Sequence, residues 1–377
     1  MRVVLFANTD WYLYNFRLPL AEKLRARGDE VVLVSPSGPY GEKLRGLGFR
    51  WQPFDFARKG TNPFAELRTL GRLTALYRSI APDLAHHFTI KCFLYGGIAA
   101  RRLGIPTVAA ITGMGHVFTT TTLKTTVLRP LLTAVYRYAL SGSQVIFQNP
   151  DDLGEFRRRL LLGRAAAHLI RGSGVNTTRF APNPSPLPPP VKALMIGRLL
   201  REKGVVELVE AAQLLRSTHP SLRIQIAGSR DEGNPSSASA DDVARWSEES
   251  AVEFLGHRED VKDLLRASHI AVLPSYREGT PRSLLEAAAC GLPLVATDVP
   301  GCREICRDGE NGTLVPAKDA NALAIAIAQL ADDPALRAKM GKRSREIAEQ
   351  EFSEDRVIHE TLAVYDAALA TATRPSA

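Results

Sequence analysis

Glu278 and Glu286 stand eight residues apart in SYREGTPRSLLEAAACG, with Gly279 and Pro281 close behind the first. Proline suits the first turn of a helix. The spacing therefore predicts a helix starting near Pro281, Glu278 in the loop before it and Glu286 more than a turn inside. Such a start presents backbone N–H groups, here those of Gly279, Thr280 and Arg282 to Leu284, as a site for phosphate. A carboxylate beside a bound anion is poorly placed to take up more negative charge, yet well placed to accept hydrogen bonds from neutral hydroxyls, and sugar diols fit that need. The plain alternative is one solvated loop glutamate and one helix-face glutamate.

A second stretch changes that balance. MIGRLLREKG, residues 195–204, ends a buried strand with Gly197 and Arg198 and then offers Lys203 before Gly204 and a new helix. Two cations at a strand's carboxyl edge can neutralise a diphosphate leaving group, doing electrostatically what a divalent metal does elsewhere. Ordinary surface charge is the competing reading. No Asp-x-Asp occurs in the chain, so the usual acidic motif for a metal bound to a sugar nucleotide is missing and no metal is expected. Cys302 and Cys306 share a helical face without further ligands, and all four cysteines read as reduced thiols.

The elements that must position these residues come in two series. RVVLFAN, RLPLAEKLRARG and EVVLVSP read as a βαβ unit. The alternation continues through RWQPFDF, a helix near 64–79, DLAHHF, a helix from Phe93, PTVAAITG, a helix near 123–140 and SQVIFQN. PNPSPLPPP, residues 182–190, favours an extended spacer and is the expected linker. Beyond it VKALMIG, VVELVEAAQLL, RIQIAG, AVEFLG, EDVKDLLRAS, IAVLPS, the Glu286 helix and LPLVATDV form a second series. The expected fold is α/β with two doubly wound, Rossmann-like domains facing across a cleft. Residues 1–181, with a C-terminal helix at about 354–377, form the first domain, and 191–353 the second.

Composition agrees. The chain has 377 residues, 45% hydrophobic and 23% charged, which are globular values and long enough for two domains. Neither a spanning segment nor a secretory signal is expected, which places the protein in the cytoplasm. Residues 1–188 carry 25 Lys and Arg against 11 Asp and Glu, whereas the remainder is acidic. A basic first half suits anionic lipid headgroups and a lipid diphosphate. Nucleic acid is the other standard partner, but no recognition motif or aromatic stacking series accompanies the charge. TLKTTVLRPLLTAVYRYAL, residues 122–140, reads equally as an interfacial helix or as a core helix. Arg17 in YNFRLPL, and with weaker support Lys91 and His87 in HHFTIK, stand where an acceptor diphosphate could be met, with ordinary surface cations as the alternative.

Glu278-GTPRSLL-Glu286 and GRLLREKG together resemble the Glu-x7-Glu motif and diphosphate-binding segment of the family 4 retaining glycosyltransferases, which have the GT-B fold. The likeness extends over nearly the whole chain. GVNTTRFAPN, GSRDEGNPSSAS and YNFRLPL look particularly like the bacterial N-acetylgalactosaminyltransferases that extend undecaprenyl-diphosphate-linked diacetylbacillosamine. The resemblance implies a UDP-sugar donor, with Glu278 at the donor sugar, Glu286 at the ribose hydroxyls, and Arg198 and Lys203 at the diphosphate. It also implies Gly279, Thr280 and Pro281 lining the donor site and His116 of ITGMGHVF near the donor sugar, although a lone histidine is often structural. Arg258 of FLGHRED lies near the expected uracil pocket or merely decorates a helix start. The implied acceptor is a polyprenyl-diphosphate-linked sugar, met at the inner face of the cell membrane by a peripheral enzyme. A glycoside hydrolase, which also uses two carboxylates, a transferase with a soluble acceptor, and a non-catalytic sugar-nucleotide binder are the rivals.

Overall fold

The computed structural model describes residues 1–57, 62–113, 123–185, 187–250 and 252–372. The first seven strands are β1 Arg2–Phe6, β2 Glu30–Ser35, β3 Arg50–Pro53, β4 Leu84–Phe88, β5 Thr107–Ile111, β6 Gln144–Phe147 and β7 Ala166–Leu169. They form one parallel sheet in the order β3-β2-β1-β4-β5-β6-β7. The remaining six are β8 Lys192–Ile196, β9 Arg223–Ala227, β10 Val252–Gly256, β11 Ile270–Leu273, β12 Leu294–Thr297 and β13 Gly312–Val315. These form a second parallel sheet, β10-β9-β8-β11-β12-β13. Each order reverses once, between β1 and β4 and between β8 and β11, and those are the points where doubly wound sheets open a crevice at their carboxyl ends.

Apolar runs make most of the central strands, with His86 and His87 of β4 as buried exceptions. VVLF of β1 and all five residues of β4 are buried, because helices cover both faces of a parallel sheet. The edge strands β7 and β13 carry no such run: β7 is AAHL with both ends exposed, and β13 opens on glycine. Their pairing comes from neighbours, which is why the sequence reading passed over them.

The chain divides into Met1–Ser173 with Val357–Ala377, and Gly174–Arg356. The proline-rich stretch therefore falls inside the second unit. The reason lies upstream of it, where the Val175 N–H donates to the Phe352 carbonyl and Val175 and Phe180 are buried in the second core. The last helix, Glu354–Ala372, belongs to the first unit from Val357 onward. Val357, Ile358, Val364, Tyr365 and Ala368 pack with residues of β1, β2 and β4. Tyr365 is fully buried and its hydroxyl meets His86 Nδ1 at 2.7 Å.

That contact sets a stability test. Tyr365→Phe keeps the ring and strands a buried imidazole nitrogen, at a cost of about 1–3 kcal/mol. Tyr365→Ala adds a cavity and costs about 3–5 kcal/mol. Urea unfolding followed by far-UV circular dichroism should rank the two in that order; equal midpoints would show that the last helix does not anchor the first unit.

Candidate active site

The loops that follow β8, β11 and β12 in the second unit are drawn together by backbone contacts. After β8 the chain makes a short 3₁₀ turn, Arg201–Lys203, and reaches Gly204 in the left-handed region at φ +75°. A Cβ there would lie 2.1 Å from the Pro274 carbonyl oxygen, so only glycine lets the helix Val205–Leu215 begin against the end of β11. The Tyr276 N–H then donates to the Glu202 carbonyl at 2.9 Å. On the other side the Glu278 N–H donates to the Pro300 carbonyl at 3.2 Å. Gly301, at φ +83°, sits so close that a Cβ would be 2.4 Å from the Gly279 oxygen.

The result is that Lys203 Nζ donates to Glu278 Oε1 at 2.5 Å, with the side chains only 22% and 12% exposed. The ion pair bridges the two sides of the β8/β11 reversal. A ligand bringing its own negative charge can take over Lys203 and release the Glu278 oxygens for neutral donors.

The helix after the Glu278 loop is Arg282–Ala289, and Pro281 is its N-cap rather than its first helical residue. The Leu284 N–H donates to the Pro281 carbonyl at 3.1 Å, which corrects the expectation that this amide stays open to a phosphate. Glu286 is inside the helix as expected, 8% exposed, and accepts from Arg282 Nε at 2.7 Å. Burial raises its pKa, opposed by the charge and hydrogen bond of Arg282 and by the charge of Arg179.

Other expected contributors are scattered. Arg198 is 60% exposed and donates to Asp231 Oδ2 at 2.6 Å, and Arg258 forms a two-point pair with Asp260. In the first unit Lys91 donates to the Ala57 carbonyl and to Glu66, which leaves it acting as a clamp. His87 is buried, bonds the Tyr77 hydroxyl at 3.0 Å, and burial pushes its pKa down to about 3. Arg17 is 94% buried against aromatic rings, the reverse of a surface arginine. His116 lies outside the described residues. Among the described residues no three or more His, Cys, Asp or Glu side chains converge on a metal position, and all four cysteines are buried free thiols.

Two residues that the sequence reading missed complete the site. Glu207 is 8% exposed and its Oε1 accepts from the Tyr276 hydroxyl at 2.6 Å, while its Oε2 has no partner. Burial and that carboxylate push the Tyr276 phenol well up. Tyr276 is thereby held at both its N–H and its hydroxyl, two residues before Glu278. The available signal was that Glu207 falls among Val205, Leu208 and Val209 at the start of VVELVEAAQLL.

A family model described as glycosyl transferases group 1 matches residues 179–347, and one described as glycosyl transferase 4-like matches residues 2–149. The chain is 32% identical to the N,N'-diacetylbacillosaminyl-diphospho-undecaprenol alpha-1,3-N-acetylgalactosaminyltransferase of Campylobacter jejuni, over 97% of this chain and 98% of that one. This chain is a family 4 glycosyltransferase. Its GT-B fold is shared with a glycosyltransferase from Rickettsia africae, at TM-score 0.80, 18% identity and 98% coverage of both chains. It is shared also with Anabaena HepE in complex with UDP and glucose, at TM-score 0.79 and 19% identity, over 97% of this chain and 100% of that one.

The geometry of the glycosyltransferase generates two tests. Tyr276→Phe leaves the buried Glu207 carboxylate without its donor and should destabilise the second unit by about 1–3 kcal/mol. Adding Glu207→Leu should recover most of that loss in urea unfolding, because the stranded charge is gone; additive losses would contradict the pairing. Glu286 titrates above its unfolded value, so its contribution to stability is present at low pH and is lost as pH rises through the raised pKa. The Tm of Glu286→Gln relative to wild type should therefore climb between about pH 4 and pH 7, and a difference that falls over that range would refute the raised pKa.

Proposed function

We propose that this glycosyltransferase moves a hexosamine, GalNAc in the first instance, from a UDP-sugar to an undecaprenyl-diphosphate-linked saccharide, with retention of anomeric configuration. The Lys203–Glu278 pair at the sheet reversal carries the donor half of the reading. Lys203, joined by Arg198 swinging from Asp231, takes the donor diphosphate. Glu278 holds hydroxyls of the donor sugar, and Glu286, freed from Arg282, accepts from the ribose. Gly279, Thr280 and Pro281 line the same edge, Arg258 serves the uracil, and His116 the donor sugar. The full-length likeness to an enzyme named for a diphospho-undecaprenol acceptor supports the acceptor half.

In the transfer the C1–O bond to the diphosphate breaks and a C1–O bond to the acceptor hydroxyl forms on the same face. The acceptor proton passes to the departing phosphate oxygen. The side chains supply position and countercharge, and Lys203 contributes most as charge develops on the leaving group. No metal is assigned to this step.

On the acceptor side Arg17 is the candidate for the lipid diphosphate, with Lys91 second to it because of Glu66. The first unit also offers a surface for an anionic bilayer. Along the helix Leu123–Leu140, Tyr136, Ala139 and Leu140 are buried, whereas Leu131 and Tyr138 are exposed beside Arg137. That combines both readings of the segment, one face in the core and one mixed basic and apolar. Among the described residues no helix is long and apolar enough to cross a membrane. We place the enzyme on the cytoplasmic face. A soluble acceptor is the second reading, and flotation decides it: association with phosphatidylglycerol vesicles that weakens with salt is expected, and none at any salt would favour the soluble acceptor.

The direct test incubates the enzyme with UDP-GalNAc, UDP-GlcNAc or UDP-glucose, with and without an undecaprenyl-diphosphate sugar. UDP release only with acceptor, fastest from UDP-GalNAc, is expected. Lys203→Ala and Glu278→Ala should lower kcat by about 10²–10³, and Glu286→Ala should mainly raise the donor KM. Wild-type turnover in all three variants, nucleotide-free cleavage of a glycoside, or UDP binding without turnover would each defeat the proposal.

A further inference from the structure

The positive charge of the first unit is gathered on one of its two faces. Val4, Ala85, Ala109 and Val145 point to one side of the seven-stranded sheet, and the helices Pro63–Ile80, Ile90–Arg102, Leu123–Leu140 and Pro150–Arg158 cover that side. Together these helices hold eleven Lys and Arg and four Asp and Glu. Among their described side chains eight of the cations are exposed, all of them arginines, and none of the four acids is. The helices Leu18–Ala26, Pro39–Gly46 and Glu354–Ala372 pack on the other side and hold five Lys and Arg and six Asp and Glu, with Glu22, Glu42 and Asp366 exposed. A solvated face ordinarily mixes both signs. Eight exposed arginines without one exposed acid attract anions from outside the chain.

The helix Pro63–Ile80 adds an apolar element to that charge. Leu70, Leu73, Tyr77 and Ile80 turn inward onto Val4 and Phe6, so its outward stripe opens with Phe64 and Leu67, 83% and 63% exposed. Side chains left that open forgo most of the free energy their burial would bring. The Phe64 N–H donates to Asn62 Oδ1 at 3.1 Å, which fixes the first turn. Arg68, Arg72 and Arg78 continue the stripe, and its other exposed positions are Ala, Gly and Ser.

The acids near this stripe are engaged elsewhere. Glu66 gives one oxygen to Lys91 and the other to the Tyr95 hydroxyl, and Asp55 gives both of its oxygens to Ser37. Arg72 donates only to the Asp55 main-chain carbonyl, at 3.3 Å, and among the described residues no carboxylate pairs with Arg68 or Arg72. A groove of about 590 Å³ lies between these two arginines, past Phe56, Ala65 and Thr69. Like charges four residues apart on a helix repel, and an anion in the groove would relieve both.

We propose that this face of the first unit seats on an anionic phospholipid bilayer, with Phe64 and Leu67 entering the headgroup boundary and Arg68 and Arg72 taking lipid phosphates. Apolar side chains beside arginines on one helix face suit that boundary, where the rings and chains leave water and the guanidinium groups do not. Leu131 and Tyr138, 62% and 48% exposed on the helix Leu123–Leu140, extend the same face, with the helix Ile90–Arg102 between. A second copy of this chain is a poor occupant, because a two-fold contact would set arginines against arginines. The seat rests on the bilayer reading given above, and it adds the entry point and the phosphate groove.

Flotation of the full chain with phosphatidylcholine vesicles, with and without phosphatidylglycerol, tests the seat. Three double variants are compared with wild type: Phe64→Ser with Leu67→Ser, Arg68→Gln with Arg72→Gln, and, as a control on the second unit, Leu214→Ser with Ile325→Ser. All six side chains are exposed, so circular dichroism should show folded protein throughout. The first variant should bind phosphatidylglycerol vesicles about ten-fold more weakly or worse at every salt concentration. The second should lose about as much at low salt and show a flatter salt dependence. The control should stay within about two-fold of wild type, and Phe64→Trp should gain blue-shifted emission on the same vesicles. Binding by the first variant within about two-fold of wild type, without a blue shift in Phe64→Trp, would overturn the seat while wild-type flotation still upheld the bilayer reading. A dimer in light scattering that the first variant abolishes, at unchanged vesicle binding, would give the patch to a second copy and overturn the seat as well. No flotation of wild type at any salt would overturn both.

Discussion

An ammonium and a carboxylate held together across a sheet reversal, Lys203 on Glu278, set the terms for the second unit. Neither group is free in water, and each alone would pay to be there. Together they pair in a half-buried position, where a ligand that offers Lys203 a stronger partner can separate them. Much of the local structure serves that meeting. Gly204 lets a helix start against β11, Gly301 lets the β12 loop press on the Glu278 backbone, and Tyr276 is tied at two atoms between them. The remaining acid, Glu286, follows the same logic one turn further on. It is buried at a cost that Arg282 partly offsets, so a polar ligand that replaces Arg282 finds an acceptor already in place.

The first unit solves a related problem differently. There the Arg17 guanidinium lies against the rings of Tyr12 and Phe88, and among the described residues no carboxylate pairs with it. A protein selected only for stability would replace such a residue with an apolar one. Its burial at the end of a π-helix has the pattern of stability given up at a functional position. Both units thus place a cation at the reversal of a parallel sheet, one held on a carboxylate and the other on rings.

Much of this was legible in the sequence. Eleven of the thirteen strands show in the sequence, the central ones such as VVLF of β1 and IAVL of β11 as apolar runs, because a strand covered on both faces buries nearly every side chain. The Glu278 loop and the helix behind it follow from proline and glycine chemistry, and GRLLREKG announces cations at a strand end. Of the four edge strands β3 and β10 show and β7 and β13 do not, since AAHL and GTLV are short and an edge needs only one neighbour and little apolar sequence. Nor did the division of the chain, which depends on Val175 pairing with a segment far along the sequence rather than on the prolines that follow it.

The sequence alone determined the two doubly wound halves, the spacing of Glu278 and Glu286, and the placing of Lys203 near a strand end, because each is written in local periodicity and turn chemistry. Only the tertiary structure decided which charge meets which. It put Lys203 on Glu278 and turned Arg198 outward to Asp231. It tied Lys91 to Glu66 and enclosed Arg17 among rings. Pairing depends on distance and burial between residues far apart in the chain, and neither quantity is encoded in any one stretch of it.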